Sequence, residues 1–246
     1  MPALFPSDWL ADAPYEDREL GVLKAGKESE VHLLARVGPT RTCLIAEKRF
    51  TPRLQRGFRN DYLYSGVWGG GSRRESRAIR KRTRFGQGAL ESRWVAHEWE
   101  TLNRLHASGV TVPPPVERIE HGYRMAFIGD GQQAAPRLSE IDLDLVTARR
   151  AWRDVQLEIR KMLDAELVHG DLSAFNILWW RERPVIIDFS QSVDVITHPA
   201  ARELLQRDVA RTAAYFTRMG VAIDVRAALA LVGDSRARFA RQVLSS

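Results

Sequence analysis

The fold of this chain is decided by one stretch in its second half, LVHGDLSAFNIL at residues 167–178, which is followed by VIIDFSQ at residues 185–191. Asp171 and Asn176 lie five residues apart on the first stretch, and Asp188 follows Asn176 by twelve residues. Two polar residues at that distance on one loop can face the same small volume. Asp188 ends an apolar run, where a carboxylate costs free energy unless a cation is near. Each feature alone is compatible with a chance tripeptide or a strand cap, whereas their order and spacing together favour phosphoryl transfer, which needs a carboxylate near the attacking hydroxyl and oxygen ligands for Mg²⁺.

A lysine and a glutamate stand where the pattern predicts apolar residues. Lys48 shares one face of a predicted strand with Leu44 and Ala46, and Glu98 interrupts the apolar stripe of a helix that begins near Glu91. Inward lysines and core carboxylates are usually paired in folded proteins. The sequence therefore predicts a Lys48–Glu98 ion pair, with a lysine that reaches water from the strand edge as the alternative.

The remaining pattern divides the chain into a β-rich first half and a helical second half, an α+β order with two lobes. Strand signals run over residues 20–50, a hairpin is predicted at 116–127, a polar linker at 129–136, and helices follow. A long helix carries Trp152, Val155, Ile159 and Met162 on one stripe, and residues 199–244 are predicted to be helical.

Basic charge is concentrated in one segment. The chain has 246 residues and a net charge of +6, but residues 51–84 hold ten Lys/Arg against Asp61 and Glu75, a local sum of +8. Residues 51–90 show no sustained period, and we expect a flexible basic insertion there. Such a segment is suited to nucleic acid or to an acidic protein, or it is simply solvated.

Composition and the N-terminal sequence exclude several classes. A single cysteine, Cys43, precludes an internal disulfide and indicates a reducing compartment. The first twenty residues lack a basic start followed by an apolar run, and no apolar stretch approaches bilayer length. We therefore expect a cytoplasmic protein without a membrane partner.

The quoted motifs resemble those of the RIO family of atypical serine/threonine protein kinases, including Asp-Phe-Ser-Gln in place of Asp-Phe-Gly. The resemblance covers about residues 20–220 and is greatest for the RIO branch without an N-terminal winged helix. It implies one kinase-like domain over residues 1–246. This domain would have an N-lobe at about 20–128 that contains the 51–90 insertion, and a C-lobe at about 137–246. We expect a reduced fold, without the activation loop or the late C-lobe helices of ordinary kinases.

The resemblance also assigns roles around ATP and Mg²⁺, with Mn²⁺ as a substitute, between the two lobes. It implies that Asp171 is the catalytic aspartate, that Asn176 and Asp188 hold the metal, and that Glu98 fixes Lys48 on the phosphates. Asp208 is similar to a family aspartate that braces the catalytic loop. The nucleotide-binding residues implied by the resemblance are Gly26, Lys27 and Ser29 in a phosphate-binding turn, Lys48, and Met125, Phe127 and Ile128 at the adenine-binding hinge.

Partners and alternatives follow from the same comparison of motifs. The expected substrate is a protein or the chain itself, with arginine-flanked Ser72, Ser76 and Thr83 as sites of self-phosphorylation, and transient phosphorylation of Asp188 would give ATPase activity. His-Gly-Asp also occurs in aminoglycoside and choline phosphotransferases, so a small-molecule kinase is one alternative. The other is an ATP-gated factor that binds RNA or a ribosomal particle through residues 51–84 and turns over no protein substrate.

Overall fold

The computed structural model of the chain describes residues 14–26, 29–50 and 84–233, with the backbone alone for residues 84–91. The chain divides into two compact units by its internal contacts. The first unit is Met1–Glu100 with Pro114–Phe127, and the second unit is Thr101–Pro113 with Ile128–Ser246. The predicted α+β order is confirmed, since the first unit holds an antiparallel sheet and the described part of the second unit is mainly helical.

The first unit is built on a five-stranded antiparallel sheet in the order β1-β2-β3-β5-β4. Its strands are β1 (Glu16–Ala25), β2 (Ser29–Val37), β3 (Thr42–Phe50), β4 (Pro115–Ile119) and β5 (Gly122–Ala126). The predicted hairpin at 116–127 is confirmed by β4 and β5. The first strand begins at Glu16, four residues before the predicted strand region. The prediction began too late because the charged start of the strand (Glu16, Asp17, Arg18, Glu19) lacks the apolar alternation that indicates a strand.

One face of this sheet carries a partly buried network of charges that the sequence pattern did not reveal. Arg36 of β2 is 2% exposed and donates two hydrogen bonds of 2.8 Å to the carboxylate of Asp17 on β1. Arg124 of β5 donates to Asp17 at 2.9 Å and to Glu47 of β3 at 2.5 Å, and both arginines also bond Glu117 of β4. Paired charges of this kind tolerate burial. The network ties β1, β2, β3, β4 and β5 together. Because successive residues of a strand face opposite sides, Lys48 lies on the other face of the sheet from Glu47.

The helix α1 (Arg84–Ala107) begins seven residues before the position expected from its apolar stripe. Gly86 and Gly88 lower helix propensity in its first turns, which explains why the sequence pattern placed these residues in the insertion. The helix ends at Ala107 and is followed by Gly109, whose φ of +74° suits glycine, and the Val110 N–H reaches back to the Leu105 carbonyl at 3.0 Å.

The second unit combines the end of α1, three further described α-helices and two short 3₁₀ helices (Leu138–Glu140 and Ala174–Asn176) with three short two-stranded sheets. The three further α-helices are α2 (Leu145–Asp164), α3 (Ala201–Arg218) and α4 (Val225–Gly233). The sheets pair β6 (Gly129–Asp130) with β7 (Gln133–Ala134), β8 (Leu167–Val168) with β11 (Val193–Asp194), and β9 (Ile177–Trp180) with β10 (Arg183–Ile186). The predicted polar linker at 129–136 thus contains the small β6–β7 hairpin. The helical tail predicted at 199–244 is interrupted at residues 219–224, and its part beyond residue 233 lies outside the described residues.

The core of the second unit lies between α2 and α3. The stripe predicted for α2 is buried, and the Trp152 ring packs on Phe216 of α3 with centroids 5.5 Å apart. Asp144 caps α2 by accepting the N–H groups of Val146 and Thr147 at 2.9 and 3.1 Å. This packing places α3 against the loop before β9, where the candidate site lies. No helix in the described ranges is both long and apolar enough to span a bilayer.

Candidate active site

The first unit contains the buried ion pair predicted from the sequence. Lys48 on β3 is paired directly across the sheet with Tyr123 on β5, so both side chains lie on one face. Lys48 Nζ is 2.5 Å from Glu98 Oε1, and the Tyr123 hydroxyl donates to the same oxygen at 3.1 Å. Glu98 is 0% and Lys48 6% exposed. A buried pair that receives a further donor keeps its geometry. The arrangement therefore holds one ammonium group in place on the sheet surface, which suits an anionic ligand.

In the second unit, α3 holds the loop His169–Leu172, here called the HGD loop, by its backbone. Asp208 accepts the Gly170 N–H at 2.8 Å on one carboxylate oxygen and the Leu172 N–H at 2.9 Å on the other. Arg207, the preceding residue, donates to the Gly170 carbonyl. Burial raises the pKa of Asp208 to about 7, against the lowering effect of the two N–H donors. These contacts are the ones expected of a residue that braces the loop. Together, Asp208 and Arg207 hold the backbone before and after Asp171.

The HGD loop also lies against the backbone of residues 188–191, here called the DFS turn. Gly170 has a φ of +80°, and a Cβ built on it would come within 2.2 Å of the Gln191 carbonyl oxygen. Real Cβ contacts essentially never fall below 3.0 Å. This position therefore requires glycine for two separate reasons, its backbone conformation and the close approach of the DFS turn.

His169 joins the HGD loop to Ile187, the residue just before the DFS turn. Its Nε2 lies 3.1 Å from the Ile187 carbonyl, and the Asp171 N–H lies 3.3 Å from its Nδ1. Since a carbonyl only accepts and an amide N–H only donates, the ring is neutral with its proton on Nε2. Burial lowers the pKa of His169, which agrees with this assignment. The histidine is thus a structural link rather than an acid or base.

Asp171 and Asn176 are in direct contact. Asn176 Nδ2 donates to the Asp171 carbonyl at 2.9 Å and lies 3.3 Å from Asp171 Oδ2. Because both partners are acceptors, the amide nitrogen must face Asp171, and the amide oxygen of Asn176 is the atom left to coordinate a cation. The other carboxylate oxygen of Asp171 accepts a hydrogen bond from Arg211 Nη1 at 2.7 Å.

Asp188 is brought near Asn176 by the register of the β9–β10 hairpin. Ile177 pairs with Ile186, and the Ile187 N–H continues the ladder by donating to the Asn176 carbonyl at 3.0 Å. Asp188 is the next residue, with a φ of +70° that a side-chain-bearing residue rarely adopts. Backbone strain of this kind concentrates at functional sites.

The donor set fits a magnesium ion shared with a ligand. Asn176 and Asp188 supply an amide oxygen and a carboxylate, both hard ligands. The described residues hold no cluster of three or more His, Cys, Asp or Glu that would enclose a metal in protein alone. Mg²⁺ is typically bound by one or two protein ligands together with phosphates and water, so two ligands are sufficient for this ion.

The residues predicted to bind a nucleotide are described only in part. Gly26 and Ser29 form the end of the β1–β2 hairpin, where the Gly26 N–H donates to the Ser29 carbonyl at 3.0 Å, whereas Lys27 lies outside the described residues. Met125 lies on β5, and Phe127 follows that strand. The Ile128 carbonyl accepts the Ala135 N–H at 2.9 Å, so adenine recognition at this position would depend on the other backbone groups of Phe127 and Ile128.

Sequence reasoning missed three residues of these sites. Tyr123 could not be found without the register that places it opposite Lys48. Arg207 and Arg211 flank Asp208 on one side of an amphipathic helix, and their spacing of four residues was the available signal. The predicted phosphorylation sites (Ser72, Ser76, Thr83) and the basic segment lie outside the described residues except for Arg84 at the start of α1.

Comparison with known proteins identifies the family. Residues 71–228 match the RIO domain family. The chain is 38% identical over 131 residues to human serine/threonine-protein kinase RIO1, covering 53% of this chain and 23% of that protein. It is 35% identical over 138 residues to the RIO-type serine/threonine-protein kinase Rio1 of Haloferax volcanii, covering 56% of this chain and 47% of the relative. The Thermoplasma acidophilum protein of the same name is 31% identical over 131 residues, covering 53% of this chain and 67% of the relative.

The chain belongs to the RIO domain family, which confirms the resemblance drawn from the HGD loop and the DFS turn. The matched region spans only about a quarter of the human protein and about half of the Haloferax protein.

Proposed function

We propose that this chain is an ATP-dependent serine/threonine protein kinase of the RIO type, which phosphorylates a protein or itself. The observation that carries the proposal is the joined set Asp171, Asn176 and Asp188 in the second unit. Asn176 contacts Asp171 at 2.9 Å through its amide nitrogen and the residue before Asp188 at 3.0 Å through its carbonyl. Phosphoryl transfer requires a carboxylate beside the acceptor hydroxyl and metal ligands, all in one small volume.

Lys48 is proposed to bind the α- and β-phosphates of ATP. Its ammonium is held at 2.5 Å from Glu98, and the Tyr123 hydroxyl bonds the same carboxylate oxygen. A lysine that is already fixed loses little side-chain entropy on binding, so its charge is in place when the nucleotide arrives.

Asn176 and Asp188 are proposed to hold Mg²⁺, which when bound neutralises charge on the phosphates. Asn176 contributes its amide oxygen, because its nitrogen is committed to Asp171. Asp188 contributes a carboxylate from the strained DFS turn. The proposed adenine contacts are backbone groups at Phe127 and Ile128, near Met125, and Gly26, Lys27 and Ser29 are proposed to contact phosphate.

Asp171 is proposed to orient the acceptor hydroxyl and to take its proton. As the hydroxyl oxygen bonds to the γ-phosphorus of ATP, the bond from that phosphorus to the β–γ bridging oxygen breaks, and ADP leaves. The proton passes to a carboxylate oxygen of Asp171. Arg211 and Asn176 each use one lone-pair position of that carboxylate, and an ionised carboxylate has about four such positions, so it can still accept the hydroxyl.

A protein acceptor is preferred over a small molecule for two reasons. The relatives named above are serine/threonine-protein kinases. The loop sequence Ser173-Ala174-Phe175 also departs from the His-Pro-Gly usual in aminoglycoside and choline phosphotransferases.

The proposal is tested by incubating the purified chain with γ-labelled ATP and Mg²⁺, alone and with casein, an aminoglycoside or choline. We expect label in casein or in the chain itself and none in the small molecules. Released phosphate measured in the same samples reports ATPase activity separately. Label only in the aminoglycoside or choline would replace the proposed function by the small-molecule alternative.

Asp171→Asn provides the internal comparison. General-base catalysis contributes about 10²–10⁴-fold to rate, so transfer should fall by at least about 100-fold while nucleotide affinity stays nearly unchanged. Asp164→Asn, a change of the same chemistry at an exposed end of α2, should leave both unchanged. Transfer that survives Asp171→Asn would remove the role assigned to this residue.

A further inference from the structure

The helix α3 presents a row of arginines that starts at the HGD loop. Arg207, Arg211 and Arg218 are separated by four and seven residues, so at about 100° per residue they lie within about 40° of one another around the helix. All three are exposed. We call this set the α3 arginine row.

Arg211, the middle arginine of the row, contacts the carboxylate of Asp171, the proposed catalytic residue. Arg211 Nη1 donates to Asp171 Oδ1 at 2.7 Å, and the Arg211 side chain is 47% exposed. This contact engages one of the five N–H donors of a guanidinium. Arg207, one turn earlier, donates to the Gly170 carbonyl. Any hydroxyl that reaches Asp171 therefore arrives beside a solvent-exposed guanidinium.

The far end of the row defines how long the surface is. Arg218 lies seven residues beyond Arg211, which is about 10 Å along a helix and matches about three residues of extended chain. Acids near the row are Asp171 itself and Glu203, one turn before Arg207. Asp142 is also near, because burial raises the pKa of the Tyr215 hydroxyl and Asp142 adds to this rise while Arg218 opposes it. The row thus remains a positive strip, with Glu203 near its beginning and Asp142 near its Arg218 end.

We propose that the α3 arginine row binds the acceptor and selects protein segments with acidic residues beside the phosphorylated hydroxyl. The inference rests on the proposed kinase function and adds its substrate class. A carboxylate next to the hydroxyl would meet Arg211, and one about three residues away would meet Arg218. Guanidinium groups bind carboxylates in a planar, two-bond geometry that gives specificity as well as attraction.

A protein acceptor fits the row better than RNA does. Binding of single-stranded nucleic acid generally combines basic groups with exposed rings on which bases stack. The aromatic residues of α3, Tyr215 and Phe216, are 4% and 0% exposed, so they offer no such surface. Because the row is positive, hydroxyls flanked by arginines, such as those in residues 51–84, should be poorer acceptors than hydroxyls flanked by acids.

The test uses three peptides with one hydroxyl each, flanked by Glu, by Gln or by Lys, and measures kcat/KM for transfer from ATP. The wild-type chain should favour the Glu peptide over the Gln peptide and the Gln peptide over the Lys peptide. Arg218→Gln should reduce the advantage of the Glu peptide by about two- to fivefold, the range for one exposed ion pair, and mainly through KM. Arg218→Glu should shift the preference toward the Lys peptide.

Two further variants separate charge from structure. Arg211→Lys keeps the charge and should retain most of the preference that Arg211→Gln loses. Arg226→Gln makes the same charge change at an exposed position of α4, outside the row, and should leave kcat/KM for all three peptides unchanged. Equal kcat/KM for the three peptides in the wild-type chain would overturn the inference and leave the kinase proposal intact.

If no peptide is phosphorylated, that result counts against the kinase proposal. Binding measurements then still test the role of the α3 arginine row. Fluorescence anisotropy of the labelled Glu peptide should show binding that weakens in Arg218→Glu and not in Arg226→Gln. Binding that is undetectable, or equal in the two variants, overturns the inference. Tighter binding of a single-stranded RNA oligonucleotide that is lost in Arg218→Glu would also overturn it, because the row would then serve nucleic acid.

Discussion

Replacing Gly170 by alanine should destabilise the second unit more than any other described glycine-to-alanine change at positive φ. An alanine at a φ of +80° carries a left-handed backbone penalty of about 1–2 kcal/mol. In addition, its Cβ would lie 2.2 Å from the Gln191 carbonyl oxygen and must move to at least 3.0 Å, a displacement of 0.8 Å or more between two backbone segments. Overpacking of this kind costs about 1–3 kcal/mol. The total of about 2–5 kcal/mol is a large part of the stability of a typical domain.

Gly220→Ala provides a matched control in the same unit. Gly220 has a φ of +82°, but the nearest atom to a Cβ placed there is Leu145 Cδ1 at 3.6 Å, an ordinary contact. This variant should therefore carry the backbone penalty alone. Urea unfolding of the wild-type chain and both variants measures the difference, which should be about 1–3 kcal/mol, and kinase assays should show a loss of activity for Gly170→Ala well below its unfolding midpoint. Equal destabilisation by the two substitutions would refute the close approach of the HGD loop and the DFS turn.

Three further substitutions test other contacts. Glu98→Gln removes the negative charge beside the Lys48 ammonium and should cost about 3 kcal/mol in urea unfolding and about 100-fold in kcat/KM, whereas the exposed Glu100→Gln on the same helix should change neither. Burial raises the pKa of Asp208 from 3.8 to about 7, so the stability contributed by this carboxyl is present below about pH 4 and is lost as the pH rises through 7. The carboxylate form of Asp208 accepts the two backbone N–H groups, so transfer activity should rise as the pH rises through 7. If the same rise in activity near pH 7 persists in Asp208→Asn, the titrating group is another residue. Asn176→Ala should raise the Mg²⁺ concentration for half-maximal activity by about 10–100-fold, and an unchanged Mg²⁺ requirement would exclude it as a ligand.

The sequence was sufficient for those features that a local pattern encodes. The order of strands and helices follows from apolar periodicity, and the Lys48–Glu98 pair follows from two charges placed on apolar faces. The spacing of Asp171, Asn176 and Asp188 indicated one site, and the structure joins Asp171 and Asn176 directly. Each of these signals was local, because a charge stood out within its own element and Asp171 and Asn176 share one short loop.

Features that depend on register or on distant contacts could not be predicted in the same way. The charge network of Arg36, Arg124 and Glu47 appears only when five strands are aligned, because each charge by itself looks like an ordinary surface residue. The contact between Gly170 and Gln191 joins residues 21 positions apart, and Arg211 reaches Asp171 across 40 positions. No periodicity links such residues, so only the packed backbone reveals them.

The geometry of the HGD loop is set mainly by α3 rather than by the loop itself. Within two turns, the helix supplies an acceptor for two backbone N–H groups through Asp208, a donor to a carbonyl through Arg207, and a donor to the Asp171 carboxylate through Arg211. With Asn176 on the other oxygen, the carboxylate of Asp171 is oriented before any acceptor binds. Orientation achieved in advance needs no reorganisation during the reaction, which is where preorganised sites gain their rate. Substitution of Asp208 should therefore reduce kcat although its side chain contacts only the backbone of the HGD loop and is not proposed to touch nucleotide or acceptor.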